Sequence, residues 1–251
     1  TIDSNIQSIV EKYLSKAVEE YKCESGITIA MNPTNGKILA MADYPSFDCN
    51  DKNTPNSHLS QIWDSLSSED KNKELYKMWT PKAITDTYEP GSVFKIITSS
   101  IALEEKFADT SSVVYNCNGS ITVPGESRPI KCFKYPNSHG AQSLTNALEN
   151  SCNPVFVELG IKIGKNITYK YYEAYGFFGK TGISISGEPS SGIFYDINKI
   201  NDHELGTMSF GQRFTITPLQ MITAASAIAN DGVLVQPQIV DKITNTDTGE
   251  I

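Results

Sequence analysis

The sequence predicts an α+β fold in which an antiparallel sheet is flanked by helices. Two apolar segments, 27–31 and 37–42, surround an Asn35-Gly36 turn, which is typical of a β-hairpin. Later apolar residues recur mostly at helical spacing, up to a helix predicted at about 217–231, and a last strand is predicted over 234–243. Because the strands do not alternate with helices, this order favours α+β over a parallel α/β sheet.

The other elements follow from local patterns along the chain. Apolar residues at steps of three and four predict an N-terminal helix that begins after Asp3, its N-cap. Residues 44–80 are polar, and one or two short helices are expected there within a loop. The remaining expectations are a helix at 91–106, an irregular insertion with a hairpin at 113–140, helices at 142–150, 154–164 and 167–175, and a Gly/Ser/Pro-rich stretch at 176–192.

Charge and length exclude some classes of function. The chain has 251 residues with 21 basic and 29 acidic side chains, hence a formal charge of −8. Because the only arginines are Arg128 and Arg213 and no basic run occurs, we expect no nucleic-acid partner. No stretch approaches the roughly 18 consecutive apolar residues that span a membrane.

A Ser-x-x-Lys motif is the first candidate for catalysis. Ser92 and Lys95 follow a Pro90-Gly91 turn and share one helical face. A serine hydroxyl becomes a nucleophile when a neighbouring base takes its proton, and a lysine can be that base if burial lowers its pKa. On its own this short motif also fits an ordinary helix start with an exposed lysine.

A Ser-x-Asn triplet is the second candidate. Ser151 and Asn153 stand before Pro154, between two predicted helices. The hydroxyl could relay a proton and the amide could hold a substrate carbonyl. Serine and asparagine before proline are also ordinary turn residues, so the triplet alone leaves both interpretations open.

Together with their flanks, 88–95 and 150–154, these motifs resemble the first two active-site motifs of penicillin-binding proteins, the acyl-serine D,D-transpeptidases. Other segments are similar to a class B transpeptidase domain and follow in the same order: 1–3, 32–41, 44–48, 175–177, 209–212 and 217–220. The resemblance implies the penicillin-binding transpeptidase fold, which is like that of serine β-lactamases.

The resemblance also implies a mechanism that needs no cofactor. Ser92 attacks the D-Ala-D-Ala carbonyl of a peptidoglycan stem peptide, with Lys95 as base, and an amine of a neighbouring stem then takes the acyl group. Ser151 relays a proton and Asn153 holds the substrate amide. β-Lactam antibiotics acylate Ser92 in place of the substrate. A serine β-lactamase, a β-lactam-sensing receptor domain and a catalytically dead cell-wall scaffold are the alternatives.

A third motif, Lys180-Thr181-Gly182, matches the family's K-T-G in letters but stands only 27 residues after Asn153. Its surroundings resemble a family loop that ends in Gly-Glu, so we interpret it as structural. The functional K-T-G and the C-terminal strands are then expected beyond residue 251. Residues 1–251 would form about the first two-thirds of the domain.

The resemblance implies a location and partners as well. A domain of this family is expected at the extracytoplasmic face of the bacterial membrane, anchored by an N-terminal helix outside this sequence. A glycan-polymerising membrane protein is an expected partner, beside stem peptides and β-lactams.

Cysteines suggest a further site. Cys117 and Cys132 enclose a Gly/Pro-bearing segment, and His139 follows seven residues later. A disulfide between the two cysteines, a structural zinc ion held by them with His139 and a carboxylate such as Asp48, and free packed thiols are three open alternatives. Cys152 is expected to be a small buried side chain, not a nucleophile.

Overall fold

The computed structural model describes residues 2–249, which divide into two units. The first unit holds the described residues up to 86, residues 180–189 and those from 217 onward, and the second holds 87–179 and 190–216. The elements are α1 (Ser4–Tyr21), β1 (Gly26–Met31), β2 (Ile38–Tyr44), α2 (Ser68–Trp79), α3 (Lys82–Thr85), α4 (Lys95–Glu104), β3 (Tyr115–Cys117), β4 (Ser120–Ile121), β5 (Ile130–Lys131), β6 (Gly140–Gln142), α5 (Leu144–Glu149), α6 (Asn153–Ile163), α7 (Lys165–Ala174), α8 (Asp202–Met208) and α9 (Pro218–Ala229).

The first unit is built on the predicted hairpin. Strands β1 and β2 pair antiparallel, with Ala30 opposite Ala40 and a register shift just after Ala30. Helix α1 begins after Asp3, whose carboxylate accepts the first free backbone N–H groups of the helix. The buried core joins β2, α3 and α9 with a segment of the 180–189 loop, through Ile38, Ala83, Ile84, Ile183 and Leu219.

The second unit packs its helices around α6, which buries most of its side chains. Helix α8 lies against α6, and a Cβ atom added at Gly160 would lie only 2.6 Å from the Cβ of Ser209. A glycine at position 160 therefore allows this close approach.

An aromatic cluster also belongs to the second unit. Tyr172 is buried at its centre, and Phe94 packs edge-on against it with ring centroids 5.3 Å apart. The other rings packed around Tyr172 are Tyr169, Phe177, Phe178, Phe194 and Phe214. Because Phe94 stands between Ser92 and Lys95, this packing fixes the chain that carries the first motif.

The α+β class and most predicted helices are confirmed, but the strand expected over 234–243 is wrong. That segment makes a single bridge, where Gln238 pairs with Lys37. Three apolar side chains of the segment are exposed, Leu234, Val240 and Ile243, and so is Val233 just before it. Alternating apolar residues form a strand only where a neighbouring backbone completes the hydrogen bonds, and among described residues only Gln238 finds one.

Two further features were not foreseen in this form. Helix α8 is absent from the sequence-based expectations because it spans only seven residues, although Asn201 and Glu204 close a capping box at its start. The insertion holds two antiparallel pairs, β3 with β6 and β4 with β5. Among residues 2–249, no helix is both long and apolar enough to cross a membrane.

Candidate active site

The first motif lies where a short 3₁₀ turn, Gly91–Phe94, leads into α4. Gly91 has a positive φ of 58°, and its N–H donates to the carbonyl of Gly211 at 2.8 Å. A side chain at Gly211 would collide with the backbone of Gly91. The two glycines let the two loops approach closely, and this contact holds Ser92 at the start of the helix.

Lys95 is the centre of the site. Its side chain is fully buried, and Nζ donates to Ser92 Oγ at 3.0 Å and to Asn153 Oδ1 at 2.7 Å. The hydroxyl and the backbone carbonyl oxygens of Ser151 also lie 2.9 Å from Nζ, so the three N–H groups of the ammonium are shared among four acceptors. The structure therefore brings the four sequence-predicted residues Ser92, Lys95, Ser151 and Asn153 together around one nitrogen atom.

Burial lowers the pKa of Lys95 to about 8, although the nearby Cys152 and Cys132 oppose the shift. The rings of Phe156 and Phe210 lie 5.4 and 5.8 Å from its Nζ and exclude water. A lysine with such a pKa is neutral in a useful fraction of molecules near neutral pH. Sequence patterns did not reveal these two aromatic residues as parts of the site, because their contact with Lys95 is long-range.

The second motif occupies the tight turn between α5 and α6. Ser151 has a positive φ of 46°, which is uncommon for a residue with a side chain. The N–H of Cys152 donates to the carbonyl of Ala147 at 2.9 Å, and Asn153 begins α6. The Nδ2 of Asn153 also donates to the carbonyl of Lys131 at 3.4 Å. Hydrogen bonds at both Oδ1 and Nδ2 therefore fix the orientation of the Asn153 amide.

A second loop supports the nucleophile turn through Glu89. Its carboxylate accepts the backbone N–H of Arg213 at 2.8 Å, where Arg213 adopts a φ of 66°. The guanidinium of Arg213 in turn lies 3.7 Å from the carboxylate of Glu204. These contacts join the residue just before Pro90 to the loop that follows α8.

A cluster of four residues that could bind a metal ion includes Cys152, the middle residue of the second motif. Cys117, Cys132, His139 and Cys152 each offer one ligand atom, and all four atoms lie within 4.8 Å of one another. The three thiols are buried, and all five cysteines of the chain are free. The disulfide alternative for Cys117 and Cys132 is therefore not what the structure contains.

The pKa shifts within the cluster differ in direction from one cysteine to another. Burial alone would raise the pKa of Cys117, but hydrogen bonds from backbone groups of His139 and Gly119 and from neighbouring thiols lower it overall. Burial raises the pKa of Cys152 to about 12, which favours its neutral thiol, and lowers the pKa of His139, which favours the neutral imidazole. His139 Nδ1 lies 3.4 Å from Cys132 Sγ, and its buried Nε2 has no partner among the described residues.

Asp48 was expected to complete such a site, but the fourth donor in the cluster is Cys152. The carboxylate of Asp48 accepts the backbone and side-chain N–H groups of Asn50, within the loop after β2 of the first unit. The signal for Cys152 was present in the sequence, since a third cysteine follows His139 by 13 residues. Its neighbours in the Ser-x-Asn triplet had suggested only a small buried side chain.

The Lys180-Thr181-Gly182 triplet forms a loop closed by Glu188. The Thr181 N–H and hydroxyl both donate to Oε1 of Glu188, at 2.9 and 2.6 Å, and the Gly182 N–H donates to Oε2 at 3.2 Å. The carboxylate thus binds the polar groups of Thr181 and the N–H of Gly182, which agrees with a structural role for the triplet.

Comparison with known proteins agrees with this geometry. A family model described as the penicillin binding protein transpeptidase domain matches residues 26–250. Stage V sporulation protein D of Bacillus subtilis is 37% identical over 248 residues, which cover 97% of this chain and 35% of that protein. Peptidoglycan D,D-transpeptidase PbpA of Mycolicibacterium smegmatis is 30% identical, over 100% of this chain and 50% of that protein.

Solved structures show the same similarity. Penicillin binding protein 3 of Mycobacterium tuberculosis, crystallised with ampicillin, matches with a TM-score of 0.80 at 25% identity, over 98% of this chain and 50% of that one. Its complex with aztreonam matches with a TM-score of 0.79. The chain thus spans between 35% and 50% of the length of these proteins.

Proposed function

Because this chain belongs to the penicillin-binding protein transpeptidase family, we propose that it is the nucleophile-bearing part of a serine-type peptidoglycan D,D-transpeptidase. The observation that carries the proposal is the convergence of Ser92, Ser151 and Asn153 on the buried Nζ of Lys95. Such a group of hydroxyl nucleophile, buried base, second hydroxyl and amide fits acyl transfer.

In the proposed reaction, the neutral amine of Lys95 takes the proton of Ser92 as its Oγ attacks the carbonyl between the two D-alanines. The tetrahedral intermediate collapses when the C–N bond breaks, and the departing D-alanine nitrogen receives a proton through Ser151. An amine of a second stem peptide then attacks the acyl carbonyl and loses a proton to Lys95. The bond between this carbonyl carbon and Ser92 Oγ breaks, and Ser92 Oγ takes up that proton from Lys95, which restores the free enzyme. Asn153 holds the amide of the acyl donor throughout.

Charge develops on the substrate oxygen in both steps. The backbone N–H of Ser92 would donate to this oxygen, and we place the second donor on the K-T-G strand expected beyond residue 251. β-Lactams would react at Ser92 in the same way and leave a stable acyl-enzyme. The extracytoplasmic location and a glycan-polymerising membrane partner belong to the same proposal.

Labelling of the full-length protein with a fluorescent penicillin tests the proposal. We expect persistent labelling that is lost in Ser92→Ala and retained in Ser190→Ala, which changes an exposed serine of the same unit. Labelling that survives Ser92→Ala refutes the assignment. Label that is released within minutes indicates a β-lactamase, and no label at all indicates a scaffold.

Product analysis separates the transpeptidase from a β-lactam sensor. With two stem peptides, one ending in D-Ala-D-Ala and one offering a free amine, we expect a cross-linked product that mass spectrometry detects with loss of one D-alanine. A protein that binds penicillin stably but forms neither cross-linked nor trimmed peptide is a sensor.

We further propose that Cys117, Cys132, His139 and Cys152 hold a structural zinc ion, with Cys152 in the place that Asp48 was expected to fill. Three thiolates and one imidazole are a common donor set of structural zinc sites. Zn–S bonds of about 2.3 Å and Zn–N bonds of about 2.0–2.1 Å need ligand atoms about 3.5–3.8 Å apart, which a small contraction of the cluster provides.

The ion would have no part in bond making. It would clamp β3, the segment after β5 and the Ser151 turn to one point, because its ligands come from each of them. Elemental analysis of the purified protein should find one zinc per chain, and Cys152→Ser should lose it while Cys49→Ser, at an exposed cysteine, retains it. A wild-type protein without stoichiometric zinc contradicts the proposal.

A further inference from the structure

A short exposed segment, residues 131–135, lies at the edge of the candidate site. The carbonyl of Lys131 accepts the Nδ2 group of Asn153, so the backbone of this segment is in direct contact with the second motif. Strand β5 also packs against α6, the helix that Asn153 begins. We call residues 131–135 the rim segment.

The rim segment carries two cations and two aromatic rings. Lys131 and Lys134 are exposed, and neither forms an ion pair with any residue in the described part of the chain. The ammonium of Lys131 lies 4.5 Å from the ring centroid of Tyr135, a cation–π contact that limits its motion. Phe133 is 70% exposed and leans on the His139 ring at 5.3 Å.

Lys131 and Lys134 place two positive charges within four residues beside the candidate site, in a chain whose formal charge is −8. Positive charge beside a site in an otherwise acidic protein attracts anionic ligands and selects among them. The exposed rings of Phe133 and Tyr135 offer apolar surface to the carbon chain that would carry such an anion. The rim segment therefore has the composition of a binding surface for a carboxylate on an aliphatic arm.

Its position relative to Asn153 says which part of the substrate it would meet. In the proposed function, on which this inference rests, Asn153 holds the amide of the acyl donor. We take the group next to that amide, on the side away from the scissile bond, to lie towards Lys131, because the Lys131 carbonyl contacts the same Asn153 side chain. In a stem peptide this group is the residue that precedes D-Ala-D-Ala.

We infer that Lys131, with Lys134 beside it, selects acyl donors with a free carboxylate on the residue before D-Ala-D-Ala. A diamino acid that keeps a side-chain carboxylate fits this site, whereas plain lysine or an amidated diamino acid lacks the anion. Lys131 is thus a specificity residue, and its backbone carbonyl also positions Asn153.

Three penicillins test the inference on the full-length protein, because their side chains differ only in one substituent beside the amide. Benzylpenicillin carries hydrogen there, carbenicillin a carboxylate and ampicillin an ammonium. The measured quantity is the second-order rate constant of acylation, expressed for each variant as the ratio of carbenicillin to benzylpenicillin. Dividing by benzylpenicillin removes any general change in the reactivity of Ser92.

We expect Lys131→Gln to lower the carbenicillin ratio by about two- to fivefold, as for the loss of one exposed charge pair. Lys131→Glu should lower the carbenicillin ratio further and should raise the corresponding ratio of ampicillin to benzylpenicillin, because a carboxylate at position 131 attracts the ammonium of ampicillin. Lys170→Gln, which changes an exposed lysine on α7, is the matched control and should leave both ratios unchanged.

Carbenicillin carries its carboxylate on the carbon beside the amide, nearer than the side-chain carboxylate of a diamino acid, so the same comparison is made with stem peptides whose third residue has a free or an amidated side-chain carboxylate. If neither the penicillin ratios nor the ratio of these two peptides changes in the Lys131 variants, the inference is overturned while the proposed function stands. An equal loss of acylation by all three penicillins also overturns it, because Lys131 would then act only in the structure of the site. If no penicillin acylates the wild-type protein, the proposed function fails first and the inference falls with it.

Discussion

Lys95 and Ser151 are joined by two hydrogen bonds, since the lysine Nζ donates both to the serine hydroxyl and to its backbone carbonyl, each at 2.9 Å. The second bond depends on the left-handed backbone of Ser151, whose φ is 46°. The lysine therefore contacts the backbone of the turn as well as the side chain of Ser151. Two motifs 56 residues apart in sequence become one unit through this contact.

Replacing the buried lysine should stop acylation whether or not the charge is kept. We expect both Lys95→Met and Lys95→Arg to lower the acylation rate by roughly 100- to 10,000-fold, the usual contribution of a general base. Arginine keeps a cation but does not release a proton at these pH values. A Lys95→Arg protein that is well folded by circular dichroism and still acylates rapidly would show that charge, not proton transfer, is what Lys95 supplies.

The pH dependence of acylation should report the lowered pKa of Lys95. Below about 8, the neutral fraction of this amine rises about tenfold for each pH unit, so the rate should rise in proportion and level off above that value. A lysine at its ordinary pKa of 10.5 would give a rate that still rises at pH 9. Stopped-flow or quenched-labelling rates between about pH 6 and pH 10, about 2 pH units on either side of the expected midpoint, distinguish the two.

The close packing of α6 against Ser209 should make Gly160 intolerant of a side chain. Gly160→Ala places a Cβ 2.6 Å from the Ser209 Cβ and should destabilise the protein by about 1–3 kcal/mol through overpacking. The free energy of unfolding from denaturant titration measures this loss. Gly179→Ala is the control, because its Cβ would meet no atom within 4 Å. Equal effects of the two variants would contradict the packing explanation.

Metal removal should loosen the second motif. If zinc links Cys152 to Cys117, Cys132 and His139, a strong chelator should lower the melting temperature and slow acylation, and added Zn²⁺ should reverse both effects. The exposed Cys23→Ser variant should respond to the chelator as the wild-type protein does. A melting temperature that is unaffected by chelator would exclude a stabilising metal.

Local signals explain why many elements could be predicted. The Asn-Gly hairpin and the Asp3-capped helix α1 depend on residues that are neighbours in sequence, and both were confirmed. The expected strand at 234–243 failed because a strand depends on a partner that its own residues do not specify. Helix α8 is not predicted because a seven-residue helix is too short to show a clear periodicity of apolar residues.

The residues of the candidate site also fall into those that local motifs predict and those that only folding brings together. Ser92, Lys95, Ser151 and Asn153 are predicted as candidates because each motif is a short run with a recognisable spacing, and the structure brings them together. Cys152 as a fourth donor is not predicted, since its nearness to Cys117 arises from the folding of the insertion.

Local patterns in the sequence are enough to predict the class of the fold, the candidate residues of the first two motifs and the resemblance to a family. Only the tertiary structure decided that Lys95 is buried with a lowered pKa, that Cys152 joins the donor cluster and that Lys131 contacts Asn153. Burial and long-range contacts depend on which segments the packed core brings together, and spacing along the chain carries no record of them.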